Sequence, residues 1–558
     1  DNGAIKTYTN PKGIAFTYIY DDKVRVKTVS GGGKTVSYTY DSQDRTETIT
    51  NENGTIRFGY DALDRVTQTT DYYGNTVKYT YDKNSNITKI TYPNNKEVIY
   101  TYFDDNLLKS VTDWNNQTTN YTYRDDGLLS QTTYANGTFC QLSYDGAGRM
   151  TNKTWKKSNN TVINGYSFEL DNLGNHTKEI KTEPFEYKYR IGNVDFTYND
   201  KNEILTANSI VFAHDNNGNT LSLDNSIIYN YDVYDRLTSV SSASFNSSYK
   251  YDALGNRRER TANGTTQRFV LDILGLSKVL LETDASNNVQ NYYVYGLGLI
   301  SRIDASNTTH YYHDDFRGSV IALTDTNETI THKYQYTDFG AITQIEEANY
   351  NPYRYVGKHG IQFEENGLYF MRARYYDAHT GRFLTEDPIW ATNLYPYAGN
   401  NPVMNIDKTG GYWETPWDIG NVIADAVNIL VAKTIELTTD DPYLKEQMQI
   451  AQQEFTTDLV LDTGAILTPL PAGISKIRKV NKVTKNIDKL PVASIKEFTD
   501  DLLGISGKLL GNSGSGTQGL LNNKKNLEGV ALGWSRHKGK FFKRFSFSDG
   551  SHLDLKTF

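Results

Sequence analysis

Tyr79-Thr80-Tyr81-Asp82 and Tyr121-Thr122-Tyr123-Arg124 are two copies of one step that recurs along the first part of the chain. Its final tyrosine falls at Tyr20, Tyr40, Tyr60, Tyr81, Tyr102, Tyr123 and Tyr144, with spacings of 20 or 21 residues. A fixed period of this length marks a repeat architecture. Each unit reads as an alternating strand ending in Tyr-x-Tyr-Asp, a turn, a Thr-rich strand and a second turn with Gly or Asn. Tyrosines at i and i+2 share one face of a strand, so each unit presents rings on one side and Thr, Lys and Asn on the other. A hairpin of ~20 residues cannot bury such a row alone, and neighbouring hairpins must pair edge to edge. The ring rows are therefore assigned to sheet packing rather than to stacking sugars or bases.

The pattern returns at Leu170-Asp171-Asn172-Leu173-Gly174-Asn175, His214-Asp215-Asn216-Asn217-Gly218-Asn219, Tyr231-Asp232 and Tyr251-Asp252-Ala253-Leu254-Gly255-Asn256-Arg257, where Gly-Asn supplies positive φ. Asp215, Asn217 and Asn219 alternate as in a calcium loop. Thr220 stands where that loop needs Gly and Ser226 where it needs Glu, which excludes it. No metal and no cofactor are expected.

Composition sets further bounds. Of 558 residues, 43 are Tyr, 43 Gly and only 4 Met, which favours strands and turns; the net charge is −8, so any nucleic-acid surface must be local. The single cysteine, Cys140, allows no internal disulfide and no Cys-based zinc site. The most apolar segment, Val422 to Leu437, is interrupted by Asp425, Asn428 and Lys433 and is too short to cross a bilayer. The chain opens inside a running pattern, which suggests the C-terminal piece of something longer.

The Tyr-Asp steps followed by Leu-Gly-Asn-Arg or Leu-Asp-Arg-Val resemble the YD repeats of RHS proteins. A second stretch resembles their repeat-associated core: Tyr311-Tyr312-His313-Asp314-Asp315-Phe316-Arg317-Gly318, Gly367-Leu368-Tyr369-Phe370-Met371-Arg372-Ala373-Arg374-Tyr375-Tyr376-Asp377 and Gly381-Arg382-Phe383-Leu384-Thr385-Glu386-Asp387-Pro388. The resemblance implies a mainly β protein: a YD-repeat sheet spiralling into a hollow shell over 1–290, a repeat-associated core over 291–410, a helical pre-toxin linker over 411–495 and a small α+β toxin domain over 496–558. It also implies self-cleavage near Gly410 to Trp413 by an aspartyl pair, here Asp387 and Asp407. Two buried carboxylates in one site cannot both ionise, so one is held as acid and the other activates water. Trp390 and Lys408 depart from the family's Gly and Pro, and the 16 residues between the two Asp-containing stretches are two fewer than in its pattern. Arg372 and Arg374 either orient this pair or bind acids in the sheet; pairing is favoured.

Residues 521–558 carry eight Lys and Arg against three Asp and Glu, interleaved with Trp534, Phe541, Phe542, Phe545 and Phe547. Alternation over Phe541 to Phe547 predicts a strand, turning at Ser548-Asp549-Gly550-Ser551 into a second at His552. Arg536, Lys538, Lys540, Lys543 and Arg544 are the candidate RNA contacts, with His537 and His552 as candidate acid and base of a metal-independent ribonuclease. No His-x-Glu with Pro-Cys-x-x-Cys is present, which removes a zinc deaminase. Within the RHS toxins, wall-associated members of Gram-positive bacteria end in variable domains that include tRNA nucleases. The resemblance thus implies a secreted, cell-wall-associated toxin acting on RNA, tRNA in that group, in the target cytoplasm, with a cognate immunity protein. Competing readings are a glycan-binding adhesion module with an inert tail, and a toxin of different chemistry.

Overall fold

The computed structural model describes residues 5–186, 194–387 and 393–411, together with the backbone of three strands in the tail. Helix is nearly absent among them, the exceptions being two short 3-10 turns, Gly357–His359 and Tyr397–Asn400. Strands from Thr7–Thr9 to His176–Thr182 form a 17-stranded antiparallel sheet, and those from Phe196–Tyr198 to Ile342–Glu347 form a 16-stranded one. Every strand in both pairs with its chain neighbour, as hairpin repeats require. The second sheet runs unbroken through the 290/291 boundary read from sequence, so the repeat and the start of the core signature are one sheet. A separate four-stranded sheet spans Gln362–Phe363, Leu368–Met371, Arg374–Asp377 and Arg382–Phe383. The chain divides into two compact units, 1–416 and 417–558. The helical linker proposed for 411–495, and its boundary with 496–558, lie outside the described residues beyond Gly411.

One joint repeats along the first sheet. In Tyr60-Asp61 the aspartate closes its own turn: Oδ1 accepts the N–H groups of Leu63 (2.9 Å) and Arg65 (3.0 Å), and Oδ2 accepts Nε of Arg65 (2.7 Å). Arg65 then reaches forward, donating to the Asp82 carbonyl at 3.0 Å and lying 4.7 Å from the ring centroid of Tyr81. Tyr81 reaches back, its hydroxyl donating to the Val66 carbonyl at 2.6 Å. The same backward bond links Tyr40 to Val26 (2.8 Å), Tyr60 to Thr46 (2.7 Å), Tyr102 to Ile87 (2.8 Å) and Tyr123 to Leu108 (2.8 Å). Several of these turns take their left-handed residue from Asp or a small polar side chain, as at Asp44, Asp64, Ser85 and Asn106, and others from glycine, as at Gly127 and Gly148. The tyrosine rows thus do serve the sheet: Tyr79 and Tyr121 are buried and Thr80 and Thr122 exposed.

The two sheets meet through contacts between residues far apart in sequence, the separation falling from 223 for Lys12 and Asp235 to 150 for Asn164 and Asp314. Asn53 Nδ2 donates to the Tyr251 carbonyl (2.8 Å), Tyr79 Oη to Asp272 (2.8 Å), Tyr92 Oη to the Tyr293 carbonyl (2.6 Å) and Asn136 Nδ2 to the Asp325 carbonyl (2.8 Å), separations of 198, 193, 201 and 189 residues. One apolar core runs from Val77 through Tyr293 and Tyr334 to Tyr397, spanning both large sheets and the small one. Cys140 lies in it, and burial pushes its thiol up to about 12, which leaves it unreactive.

The core also holds neutral imidazoles. His313 is fully buried, its ring 4.8 Å from that of Trp155, and burial lowers its pKa to about 3; burial and the nearby Arg302 lower that of His332 to about 4. Folded-state values below the unfolded ~6.5 mean that the unfolded chain binds more protons, so stability is full above pH ~6.5 and falls as pH drops towards the folded values. At pH 5 each of these two histidines is expected to cost about 2 kcal/mol relative to pH 7.5. Urea midpoints of the whole chain at the two pH values check this, and equal midpoints refute it.

Candidate functional site

Leu368–Met371 and Arg374–Asp377 form a hairpin whose tip is Arg372-Ala373, with Arg372 in the left-handed region at φ 61°. This tip carries the loop that holds Asp407. Ala373 N–H donates to the Thr409 carbonyl at 3.0 Å, and Arg372 donates to the carbonyls of Ser277, His359 and Lys408. Gly410 closes the contact: its φ is 73°, and a Cβ there would fall 2.1 Å from the Met371 carbonyl oxygen. On the other side, Asp387 N–H donates to the Leu394 carbonyl at 3.0 Å, which ties the first aspartate to the segment after the turn. Trp390, in place of the family's glycine, lies outside the described residues.

Both predicted aspartates meet at Arg374. Its Nη2 lies 2.6 Å from Asp387 Oδ2 and 3.7 Å from Asp407 Oδ2, while its guanidinium sits 3.7 Å from the Phe383 ring centroid. The two readings of Arg374 therefore coincide, because the acids it pairs with are the two candidate aspartates. Arg372 instead braces backbone carbonyls around the loop. Arg374 Nε also donates to the Gly410 carbonyl, and Nη1 to that of Leu394 at 2.8 Å.

The two carboxyls sit in unequal surroundings. Asp407 is 2% exposed at the side chain and Asp387 16%. Asp407 Oδ1 accepts N–H from Gly410 (2.7 Å) and Thr409 (3.0 Å) and the Thr409 hydroxyl (3.1 Å). Burial outweighs these bonds and Arg374, and raises the Asp407 pKa to about 6. The arrangement holds one acid, a second carboxylate bound by a cation, and a backbone carbonyl polarised by that cation. These are the parts that peptide hydrolysis requires. The contact of Arg374 with the Gly410 carbonyl leaves no trace in the sequence, since nothing in their spacing signals that they touch.

The tail residues are placed by backbone register. Ala531–His537 pairs antiparallel with Lys540–Ser546, which pairs with His552–Lys556, so the two strands predicted there are joined by a third. His537 lies opposite Lys540 and His552 opposite Ser546. Six residues along the middle strand separate these positions, roughly 20 Å. The sheet brings neither histidine to the other, so one acid–base pair made of both is not assembled within it. Alternation also sorts the cations. Arg536 and Lys543 share register parity with Leu532, Trp534, Phe541, Phe545, Leu553 and Leu555, whereas Lys540, Arg544 and Lys556 share it with His537, Ser535 and His552. Arg536 and Lys543 thus share a face with Trp534, Phe541 and Phe545, while Lys540, Arg544 and Lys556 share the other with Phe542. Lys538 and Phe547 lie outside the described residues.

The Teneurin YD-shell family model matches residues 68–186 and 144–403, well over half of the chain. The chain belongs to the Teneurin YD-shell family. Among curated relatives of this YD-shell protein, the tRNA nuclease WapA of Bacillus subtilis strain 168 and the tRNA3(Ser)-specific nuclease WapA of Bacillus spizizenii are each 37% identical over 235 residues, 39% of this chain. The chain spans about a tenth of the length of these relatives, and the aligned part is shell rather than nuclease. The crystal structure of TcdB2-TccC3-TEV superposes with a TM-score of 0.57 at 15% identity, covering 72% of this chain and 27% of that one, a likeness of fold.

Because alanine at Gly410 would need φ near 73° with its Cβ against a carbonyl, Gly410→Ala is expected to detach the Asp407 loop from the hairpin at a local cost of at least about 1 kcal/mol. Hydrogen exchange at the Ala373 amide, faster in the variant by about fivefold or more, checks this.

Proposed function

We propose that the chain is a secreted RHS-type toxin whose YD strip winds into a hollow shell around a C-terminal ribonuclease, freed from the shell by self-cleavage at Asp387 and Asp407. The observation that carries the reading is the bridge from Arg374 to both carboxyls and to the Gly410 carbonyl. Facing contacts that advance together along both sheets, from Lys12 and Asp235 through Tyr92 and Tyr293 to Asn136 and Asp325, support a strip wound lap upon lap. Kinship with WapA, named for tRNA cleavage, supports RNA as the target; the reading also holds that the chain sits at the cell wall before delivery and that the producer keeps a cognate immunity protein.

In this scheme Asp387, paired with Arg374, is the base that takes a proton from water as its oxygen attacks the Gly410 carbonyl carbon. Asp407 is the acid that passes its proton on to the Gly411 nitrogen as the C–N bond breaks. Asp387→Asn and Asp407→Asn are each expected to leave the chain whole on denaturing gels while wild type splits at Gly410–Gly411. With Asp407 titrating near 6, cleavage after cell-free synthesis should slow about tenfold per unit from pH 7 to pH 9. Splitting in both variants, or a flat profile, overturns the scheme.

For the tail, Lys540, Arg544 and Lys556 grip RNA phosphates, and His537 opposite Lys540 supplies the proton transfer while the lysine steadies the phosphorane. Expression of residues 412–558 should arrest growth and fragment RNA, and EDTA should not protect it. His537→Ala should abolish cleavage and His552→Ala lower it less than about tenfold. Equal loss in both with no further loss in the double variant would instead make them one catalytic unit. Arrest with intact RNA would point to other chemistry, and no arrest to an adhesion module.

A further inference from the structure

The strand Arg257–Ala262 meets Gln362–Phe363 of the small sheet around a cavity of about 10 Å³, lined among others by Arg257, Arg260, Gln267, Glu282 and Glu364. Its walls are deeply buried: Arg257 is 3% exposed, Arg260 5%, Glu282 2% and Glu364 1%. The two guanidiniums divide their terminal nitrogens in the same way. Arg257 Nη1 donates to Glu364 Oε1 at 2.5 Å and Nη2 to Gln362, and Arg260 Nη1 donates to Glu364 Oε2 at 3.1 Å and Nη2 to Glu365 at 3.1 Å. The Nε–H of each has no partner among the described residues. Two buried charged donors left without a partner beside one cavity are a costly arrangement unless a guest accepts from both.

Charge decides what kind of guest fits. Glu364 uses both oxygens on the two arginines and balances one of them. Glu365 is at the rim, with its side chain 46% exposed, and screens weakly. Arg302, also buried, adds a third cation near Glu282. The remaining wall acid, Glu282, accepts from Asn291 Nδ2 at 3.0 Å on its far side. Arg257, Arg260 and Arg302 thus face Glu364, the solvent-screened Glu365 and Glu282, so a net positive charge falls on this small space when Glu282 is protonated.

We propose that this cavity binds one small monovalent anion, chloride physiologically, which accepts from Arg257 Nε and Arg260 Nε and locks the repeat strip to the small sheet that carries Arg374. Burial raises the Glu282 pKa, which favours its neutral form and leaves the cation excess for the anion to balance. The site lies outside the aspartyl dyad, and the proposal stands whether or not self-cleavage occurs.

The test uses the full chain and bromide as probe. At equal ionic strength, sodium bromide should raise the unfolding temperature over sodium gluconate by more than about 1 °C, saturating with concentration. Crystals grown in bromide should show an anomalous peak within ~3.5 Å of both Nε atoms. Glu282→Gln, neutral at every pH, should keep the bromide effect, and Arg260→Gln should lose it. A non-saturating or absent shift in wild type, or a peak without anomalous signal, as a bound water gives, overturns the proposal even if Arg260→Gln fails to fold.

Discussion

The first hairpins are registered by a three-residue joint in which an aspartate closes a turn, grips the arginine four residues on, and so aims that arginine at the next tyrosine. Asp61, Arg65 and Tyr81 show it whole, and Asp41, Arg45 and Tyr60 repeat it one hairpin earlier. Each contact is small: about 1 kcal/mol for a hydrogen bond and ~0.5–1 for an exposed cation over a ring. Their value lies in repetition. Because each joint spans two hairpins, it sets the offset between neighbours from Asp21 to Tyr81, and further along, where Asn86 and Leu107 replace the arginine, the backward bonds of Tyr102 and Tyr123 keep the same offset.

A regular strip would still be unstable with one ring-bearing face in water. Burial of that face against the second sheet is what orders Tyr79, Tyr92 and Tyr134, and the phenols of the first two reach polar atoms on the opposing sheet. Buried ions then select the docking position. Lys153 Nζ lies 2.6 Å from Asp314 Oδ2, with both side chains nearly fully buried, and Arg257 meets Glu364 at 2.5 Å. Such pairs add little net stability over apolar replacements, but breaking one strands a charge in the core, so a slipped docking is penalised.

The aspartyl site inherits its geometry from the same frame. Arg374 sits in a short hairpin beneath Phe383, and that hairpin shares the core with Tyr355 and Tyr397 of neighbouring segments. The Asp407 loop then needs only a glycine and a few backbone bonds to hold its carboxyl near the guanidinium. Lys408, where the family has proline, is accommodated because its carbonyl is held by Arg372 and the left-handed step falls two residues later, at Gly410.

The sequence by itself determined the strands, their period and the face each tyrosine occupies, because alternation and turn chemistry are local and read the same in every copy. It also singled out Asp387 and Asp407 as candidates, through a resemblance that keeps both acids. Tertiary structure alone decided what those acids touch. Arg374 is 13 residues from one and 33 from the other, and no periodicity links positions brought together by a hairpin tip and a loop. It also showed that the second sheet crosses residue 290 without a break, and that Arg257, Arg260 and Glu364 converge. In the tail, composition foretold a basic, aromatic segment, but pairing register placed His537 and His552 at opposite ends. Register is set by which strands pair, and a count of charges along one strand carries no trace of it.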